Sequence, residues 1–370
     1  MTPNLNGINL ISIKAEPNPK PVWIHIVPIS RLIVSTEIGG KICIHDVIFV
    51  NKSHLIRSRK KFKLPYTISE LKRKLKLTKF FDHDTFAIWT HGKHDDDTEK
   101  KFLKSVRFAL NFLEISQLIY GKREQNSVIC ISSEKQIGGI DFLAINSSKE
   151  FKYSSQTIEN PIPLKLDKHW REFQRFSFFY DLLEITNHKN KLISRAWKDN
   201  IISAVMLAAD SQATQNYAHA FLFNMIAIET LLAESSDTYS KELPKRIEAF
   251  IGWSDNWKIN DLESKIKDLY SKRCKLVHAG ELHLISLDDV ILSDYFLFNI
   301  FHNILKHITL FNTKEQLILF SNKVQAEKML GIKGKIRPKT LKEISHSKKK
   351  NTPYKKIETV EDLLSFFKKH

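Results

Sequence analysis

Cysteine is scarce in this chain. Three residues, Cys43, Cys130 and Cys274, stand among 370, an odd and low number that supports no disulfide framework and fits a reducing cytoplasm. Glycine and proline are also few, 11 of each, which predicts little tight turning and much helix. No run reaches the roughly 20 apolar residues of a membrane span. The longest candidate, Tyr217 to Ala233, is interrupted by His219, Asn224 and Glu229. The opening residues Met1-Thr2-Pro3-Asn4 lack the basic start and apolar run of a signal peptide, so a soluble, cytoplasmic protein with no membrane partner is expected. Walker loops, Gly-x-Gly-x-x-Gly turns, Cys-x-x-Cys pairs and serine-nucleophile elbows are all missing, and no cofactor is expected. Disorder is excluded by a hydrophobic fraction of 42% and 24 phenylalanines.

What the chain has in excess is positive charge, +17 at pH 7, and it is concentrated. Residues 52–79 carry eleven Lys/Arg against Glu70 alone, and residues 333–356 carry ten against Glu343. The remainder is close to neutral. Patchy positive charge attracts polyanions, chiefly nucleic acid, by counterion release. In the first patch Arg57, Arg59, Lys60, Lys61, Lys63, Lys72, Arg73 and Lys74 are interleaved with Phe62, Tyr66 and Phe80, and contact with an RNA backbone is expected there. The plain alternative is a solvated lysine face.

The pattern along the chain predicts an α+β protein. Residues 1–160 read as a mixed α/β domain, with strands at 22–27, 41–50, 86–90 and 128–132, and Gly39-Gly40 suits a hairpin turn. This places His45-Asp46 inside a strand. A helical stripe of Phe102, Val106, Ala109, Leu110, Leu113 and Leu118 ends near Gly121. Pro161 and Pro163 mark a linker around 158–166. Residues 165–330 show helical periodicity with almost no glycine, and segments 168–188, 190–210, 214–235, 240–252, 260–279 and a long one over 287–330 predict an antiparallel bundle. The aromatic run from Trp170 to Tyr180 has the spacing of core residues. The basic tail, 331–370, is expected to be partly flexible up to the short amphipathic end Val360–Phe367.

One helix carries an anomaly. Placed at about 100° per residue, Leu262, Ile266, Leu269, Tyr270, Leu276 and Val277 form one stripe, with Arg273 at its centre and His278 beyond its edge. An arginine inside an apolar face needs a carboxylate, a phosphate or water, because an unpaired buried charge is costly. Glu229 lies in the nearly all-apolar segment 217–234 and is the candidate partner. Two other polar clusters, Asp82-His83-Asp84 and His91 to Asp97, flank the strand at 86–90 but match no metal-ligand spacing, and no metal site is expected.

The run Arg273-Cys274-Lys275-Leu276-Val277-His278, with Leu269-Tyr270 before it and Ala279-Gly280 after, resembles the Arg-x4-His signature of HEPN domains. Upstream, Ile226-Ala227-Ile228-Glu229-Thr230-Leu231-Leu232 is similar to the acidic helix of the Apea-like branch of that family. The resemblance covers 165–330 and implies an all-helical bundle that pairs symmetrically, setting two motifs around one cleft that cleaves RNA without a metal. It implies Arg273 and His278 as the catalytic pair, Glu229 and Cys274 as supporting residues, and a setting in anti-phage defence, abortive infection or toxin-like growth arrest. Many active members carry Asn, Asp or His where this chain has Cys274, so the role of a polar helper is open. RNA brings its own nucleophile, the 2′-hydroxyl; a histidine suits general acid–base work near neutrality, and an arginine can hold the phosphate. The expected partners are RNA and a second copy of the chain, with residues 1–160 as a sensor or recognition domain for a trigger or inhibitor protein. A catalytically silent scaffold that binds RNA or protein is the alternative.

Overall fold

The computed structural model describes residues 22–75, 80–132, 142–146, 151–154 and 163–343, apart from 236, 254 and 333. The fold is α+β. The N-terminal part contains strands β1 (Trp23–Ser30), β2 (Leu32–Val34), β3 (Lys41–Ile44) and β4 (Val47–Asn51), then helices α1 (Lys52–Arg57) and α2 (Ile68–Leu75). Strand β5 (Thr85–His91), helix α3 (Asp96–Ile115) and strands β6 (Cys130–Ile131), β7 (Phe142–Asn146), β8 (Phe151–Ser154) and β9 (Leu164–Leu166) follow. The main sheet runs β3-β4-β5-β1-β7-β8, all antiparallel, with β6 on the end of β1. A separate parallel pair joins β2 to β9.

The period of two along β1 divides the sheet into two covered faces. Val27 and Ile29 point into a core completed by Phe102, Val106 and Leu110 of α3, whereas Ile24 and Ile26 point into a second core completed by Leu55, Leu64, Tyr66, Leu71 and Phe81 around α1 and α2. The basic segment is therefore the lid of one sheet face. Its first helix is capped by Asn51, whose side-chain oxygen accepts from His54 N, and its second by a reciprocal Thr67–Glu70 box.

Beyond β9 the described residues form nine helices: α4 (Lys168–Phe176), α5 (Phe179–Thr186), α6 (Arg195–Ala213), α7 (Tyr217–Leu232), α8 (Tyr239–Ile251), α9 (Asp255–Ile259), α10 (Leu262–Ala279), α11 (Leu287–Lys306) and α12 (Lys314–Met329). Helix α6 lies between α3 and α7, so the first core continues from the sheet into the bundle. Polar bonds cross the same junction. Trp170 Nε1 donates to Ser116 Oγ at 3.1 Å, and Arg123 meets Asp294 at 3.4 Å with both side chains buried.

Several local expectations need correction. The stretch 41–50 is two strands, because His45 adopts φ +51 and turns the chain between β3 and β4. Gly39-Gly40 is a turn, but β2 and β3, which flank it, do not pair. The end of the supposed linker is strand β9; positions 158–162 lie outside the described residues. The segment 168–188 breaks at Ser177, which ends α4 in extended backbone. The long segment 287–330 breaks because Thr313 caps a new helix, its hydroxyl accepting from Gln316 N. Residues 334–343 are a strap rather than a loose tail. Lys335 N and Ile336 N donate to the Glu327 carboxylate, and Arg337 donates to the carbonyls of Glu248 and Ala249 while covering the Trp253 ring. Leu341 is buried, and Lys342 N donates to Asn303 Oδ1. The amphipathic end at 360–367 lies outside the described residues.

Candidate functional site

Helix α7 is buried on nearly every side, which is why its sequence is apolar all round. Glu229 is the one carboxylate on it and is 8% exposed. Helix α10 packs its Leu262, Ile266, Leu269 and Leu276 face toward α7 and α8. Arg273 projects from the middle of that face, and one guanidinium nitrogen donates to Glu229 Oε2 at 2.8 Å. Burial pushes the Glu229 carboxyl above its usual value, and the charge and hydrogen bond of Arg273 pull against this. Glu229 Oε1 and Arg273 Nε are also buried and have no hydrogen-bond partner among the described residues. The pair therefore holds polar capacity it does not use internally.

One turn before Arg273, the Tyr270 hydroxyl is pushed up to about 12, first by burial and then by its hydrogen bond to Cys274. Cys274, half-buried, is thus attached to Tyr270 and adjoins the pair. On another side of α10, Lys272 bonds Asp268 at 3.1 Å and Asp289 at 2.7 Å. Asp289 is also the third residue of the Ser286 capping box of α11, so Lys272 ties α10 to the start of that helix. His278 stands exposed in the last turn, just before Gly280 closes the helix at φ +67.

The structure joins Arg273 to Glu229 and Tyr270 to Cys274, but it does not bring His278 to Arg273. Five residues on one helix separate two side chains by about 140°, and the burial follows: Arg273 faces α7 while His278 faces solvent. Beside His278, Val277 is 47% exposed and Leu282 is 52% exposed. The apolar residues beside the motif, Leu276, Val277 and those of 287–310, differ in what they leave exposed. Every residue of α11 from Asp289 to Leu305 is buried inside its own chain, and Leu276 is in the home core.

Arg57, Lys60, Lys61, Lys63, Arg73 and Lys74 are exposed, while Arg59 and Lys72 are half-buried. Lys72 pairs with Asp82 at 3.5 Å, and Lys74 lies over the Tyr66 ring at 4.6 Å. Asp95 caps α3, accepting from Thr98 N. Hydrogen bonds to Lys93 and Thr98 hold its carboxyl far below the usual range. His94 Nδ1 lies 3.2 Å from Nε2 of His25, a fully buried ring whose pKa desolvation lowers to about 4. Among the described residues no group of three or more His, Cys, Asp or Glu side chains is arranged to hold a metal, and no helix is long and apolar enough to cross a membrane.

The sequence reading missed one polar centre. Asp294 on α11 accepts from Asn224 at 2.7 Å and Gln212 at 2.9 Å, beside Arg123, and all four are buried. The available signal was weak: Asn224 and Asp294 are each one of several polar residues in largely apolar helices. No protein-family model, curated protein or solved structure matches the chain.

Proposed function

We propose that the helical part of this protein is a metal-independent endoribonuclease of HEPN type, acting as a homodimer in the cytoplasm. The observation that carries the reading is the Glu229–Arg273 pair on the inner face of α10, with His278 exposed on the last turn of the same helix. In the proposed reaction the RNA 2′-hydroxyl gives up its proton to water as it attacks the adjacent phosphorus, and the P–O5′ bond breaks. His278 supplies the proton that the departing 5′-oxygen takes up, and Arg273 offsets charge building on the non-bridging oxygens. The products are a 2′,3′-cyclic phosphate and a 5′-hydroxyl. Since Arg273 and His278 point about 140° apart, one phosphate is best served by His278 of one copy and Arg273 of another. The exposed Val277 and Leu282 beside His278 suit a seam between copies at the end of α10.

One observation favours the other reading. Arg273 is already engaged by Glu229, as a structural core pair would be, and a silent scaffold needs no more. Incubation of the full chain with total RNA and EDTA decides between them. Cleavage leaving cyclic phosphate ends, abolished in folded His278→Ala and Arg273→Ala, is the expected result. Intact RNA, or cleavage that survives His278→Ala, removes this mechanism. A role in anti-phage defence or growth arrest, with residues 1–160 receiving a trigger, completes the proposal.

A further inference from the structure

The two described cavities differ in kind. The one among Gln117, Arg123, Gln212 and Asp294 has about 10 Å³, room for one water and no ligand. The other opens under the α1–α2 lid and has about 80 Å³. Ile26 of the sheet, Leu55, Leu71 and Phe81 form its buried floor, and Leu64 and Tyr66 its walls. Four lining residues also reach solvent: Ile56, 53% exposed, and the half-buried Arg59, Thr67 and Ile68. They form its mouth.

Around that mouth the charge is mostly positive. Residues 52–75 hold nine Lys/Arg and a single acid, Glu70. Glu70 is committed to the α2 cap, accepting from the Thr67 N–H and hydroxyl, and its carboxyl is held below the usual range by those bonds. With Asp82, which pairs with Lys72 at 3.5 Å, it offsets only part of a strongly basic field. An apolar recess with Arg59 in its lining, in a strongly basic segment, fits a ligand that is apolar at one end and anionic beside it. The volume narrows the choice. Cavities that enclose a benzene measure about 150 Å³, and small-molecule pockets about 300–1,000 Å³, so this recess admits the edge of one ring system and cannot enclose a metabolite or an acyl chain. The remaining affinity has to come from charges outside it.

We propose that this recess takes the edge of one unstacked base of single-stranded RNA, set against Tyr66, while the flanking phosphates lie on Arg59 and the exposed Arg57, Lys60 and Lys61. Stacking on an aromatic ring tolerates any base, and the phosphate contacts depend on salt. The lid is thus a sequence-tolerant handle on an RNA strand. The proposal rests on RNA being the partner but not on cleavage, so its test uses binding.

Full-length His278→Ala protein is titrated with a labelled twelve-nucleotide oligouridylate and with a baseless ribose-phosphate twelve-mer of the same charge. The oligouridylate is expected to bind about tenfold more tightly, the scale of one stacked base. Tyr66→Leu and Ile56→Trp, which remove the ring and fill the mouth, are expected to erase that advantage while leaving baseless binding intact, which also reports that they fold. Lys60→Ala/Lys61→Ala should weaken both probes alike and flatten the salt dependence. Equal affinity for the two probes, or no binding of either, overturns the base pocket. So does Tyr66-dependent binding of phosphatidylglycerol vesicles in place of RNA. A base advantage in a wild-type protein that cuts nothing would retain the pocket and discard the nuclease.

Discussion

Removing the Glu229 carboxylate should cost the fold more than removing the whole ion pair. In the native chain the Glu229 side chain is 9% exposed and that of Arg273 is 17% exposed, with 2.8 Å between them. Glu229→Ala leaves a guanidinium facing α7 with no counter-charge. Breaking a buried pair on one side costs about 3–5 kcal/mol, and the little solvent that Arg273 reaches puts this case near the lower end, about 3 kcal/mol. The double replacement Glu229→Leu/Arg273→Leu removes both desolvation costs and adds apolar contact in an apolar neighbourhood, so it should return to within about 1 kcal/mol of wild type. Burial raises the Glu229 carboxyl above 4.5 in the folded chain, so the folded state binds its proton more readily than the unfolded state does. Stability owed to this group is therefore greatest at low pH and declines as the pH rises from 4.5 through the folded value. Urea unfolding followed by circular dichroism, at several pH values and beside Glu229→Gln, measures all three effects. An unshifted midpoint in Glu229→Ala would refute the buried pair, as would a double variant no more stable than the single one.

Other parts of the molecule give further tests. His25, fully buried, and His302, nearly so, are held neutral by desolvation, with pKa values lowered to about 4 and about 3. Their unfolded forms take up protons first, so the stability they contribute is present above 6.5 and is lost as the pH falls. For His25 the loss is about 3 kcal/mol by its folded pKa, and His25→Phe should flatten the acid side of the unfolding profile; an unchanged slope refutes this. Leu341→Ala should lower stability by about 2 kcal/mol if the strap is anchored as its bonds indicate, whereas a loose tail would show no shift in the melting midpoint. Arg123→Met strands Asp294, whose carboxyl burial already pushes up, and should cost about 3 kcal/mol. Since one core spans sheet and bundle, calorimetry of that variant should show a single transition moved down, and two separated transitions would contradict a shared core.

Much of the architecture was readable because it rests on periodicity. Strands β1 and β5 alternate or run apolar, and the bundle helices carry stripes that only helices produce. What escaped detection depends on contacts between segments distant in the chain. Strand β9 is three residues after two prolines, and becomes a strand only because β2 lies alongside. The strap at 334–343 has no periodic pattern; Arg337 and Leu341 are held by α8, α11 and α12, which the local sequence cannot reveal. His45 was misplaced because a non-glycine residue at positive φ leaves little trace in composition. The Glu229–Arg273 pair was legible for the opposite reason. A charge in an apolar stripe demands a partner, and an almost wholly apolar helix offered one carboxylate.

The burial of α11 sharpens the question of assembly. Seventeen consecutive residues, Asp289 to Leu305, are buried in the home chain and offer a partner little surface. The seam proposed here is therefore small and local, built on Val277, Leu282 and the turn after Gly280. A seam of that size should respond to a single charge. Val277→Asp lies on the exposed side of α10, away from the home core, so the fold should tolerate it within about 0.5 kcal/mol. In sedimentation it should convert a dimer to a monomer, and RNA cleavage should fall with the dimer fraction if both copies build one cleft. A monomeric Val277→Asp protein that still cuts RNA at the wild-type rate would show that Arg273 and His278 of one chain suffice, despite their divergence on the helix. A dimer that survives the substitution would move the seam elsewhere.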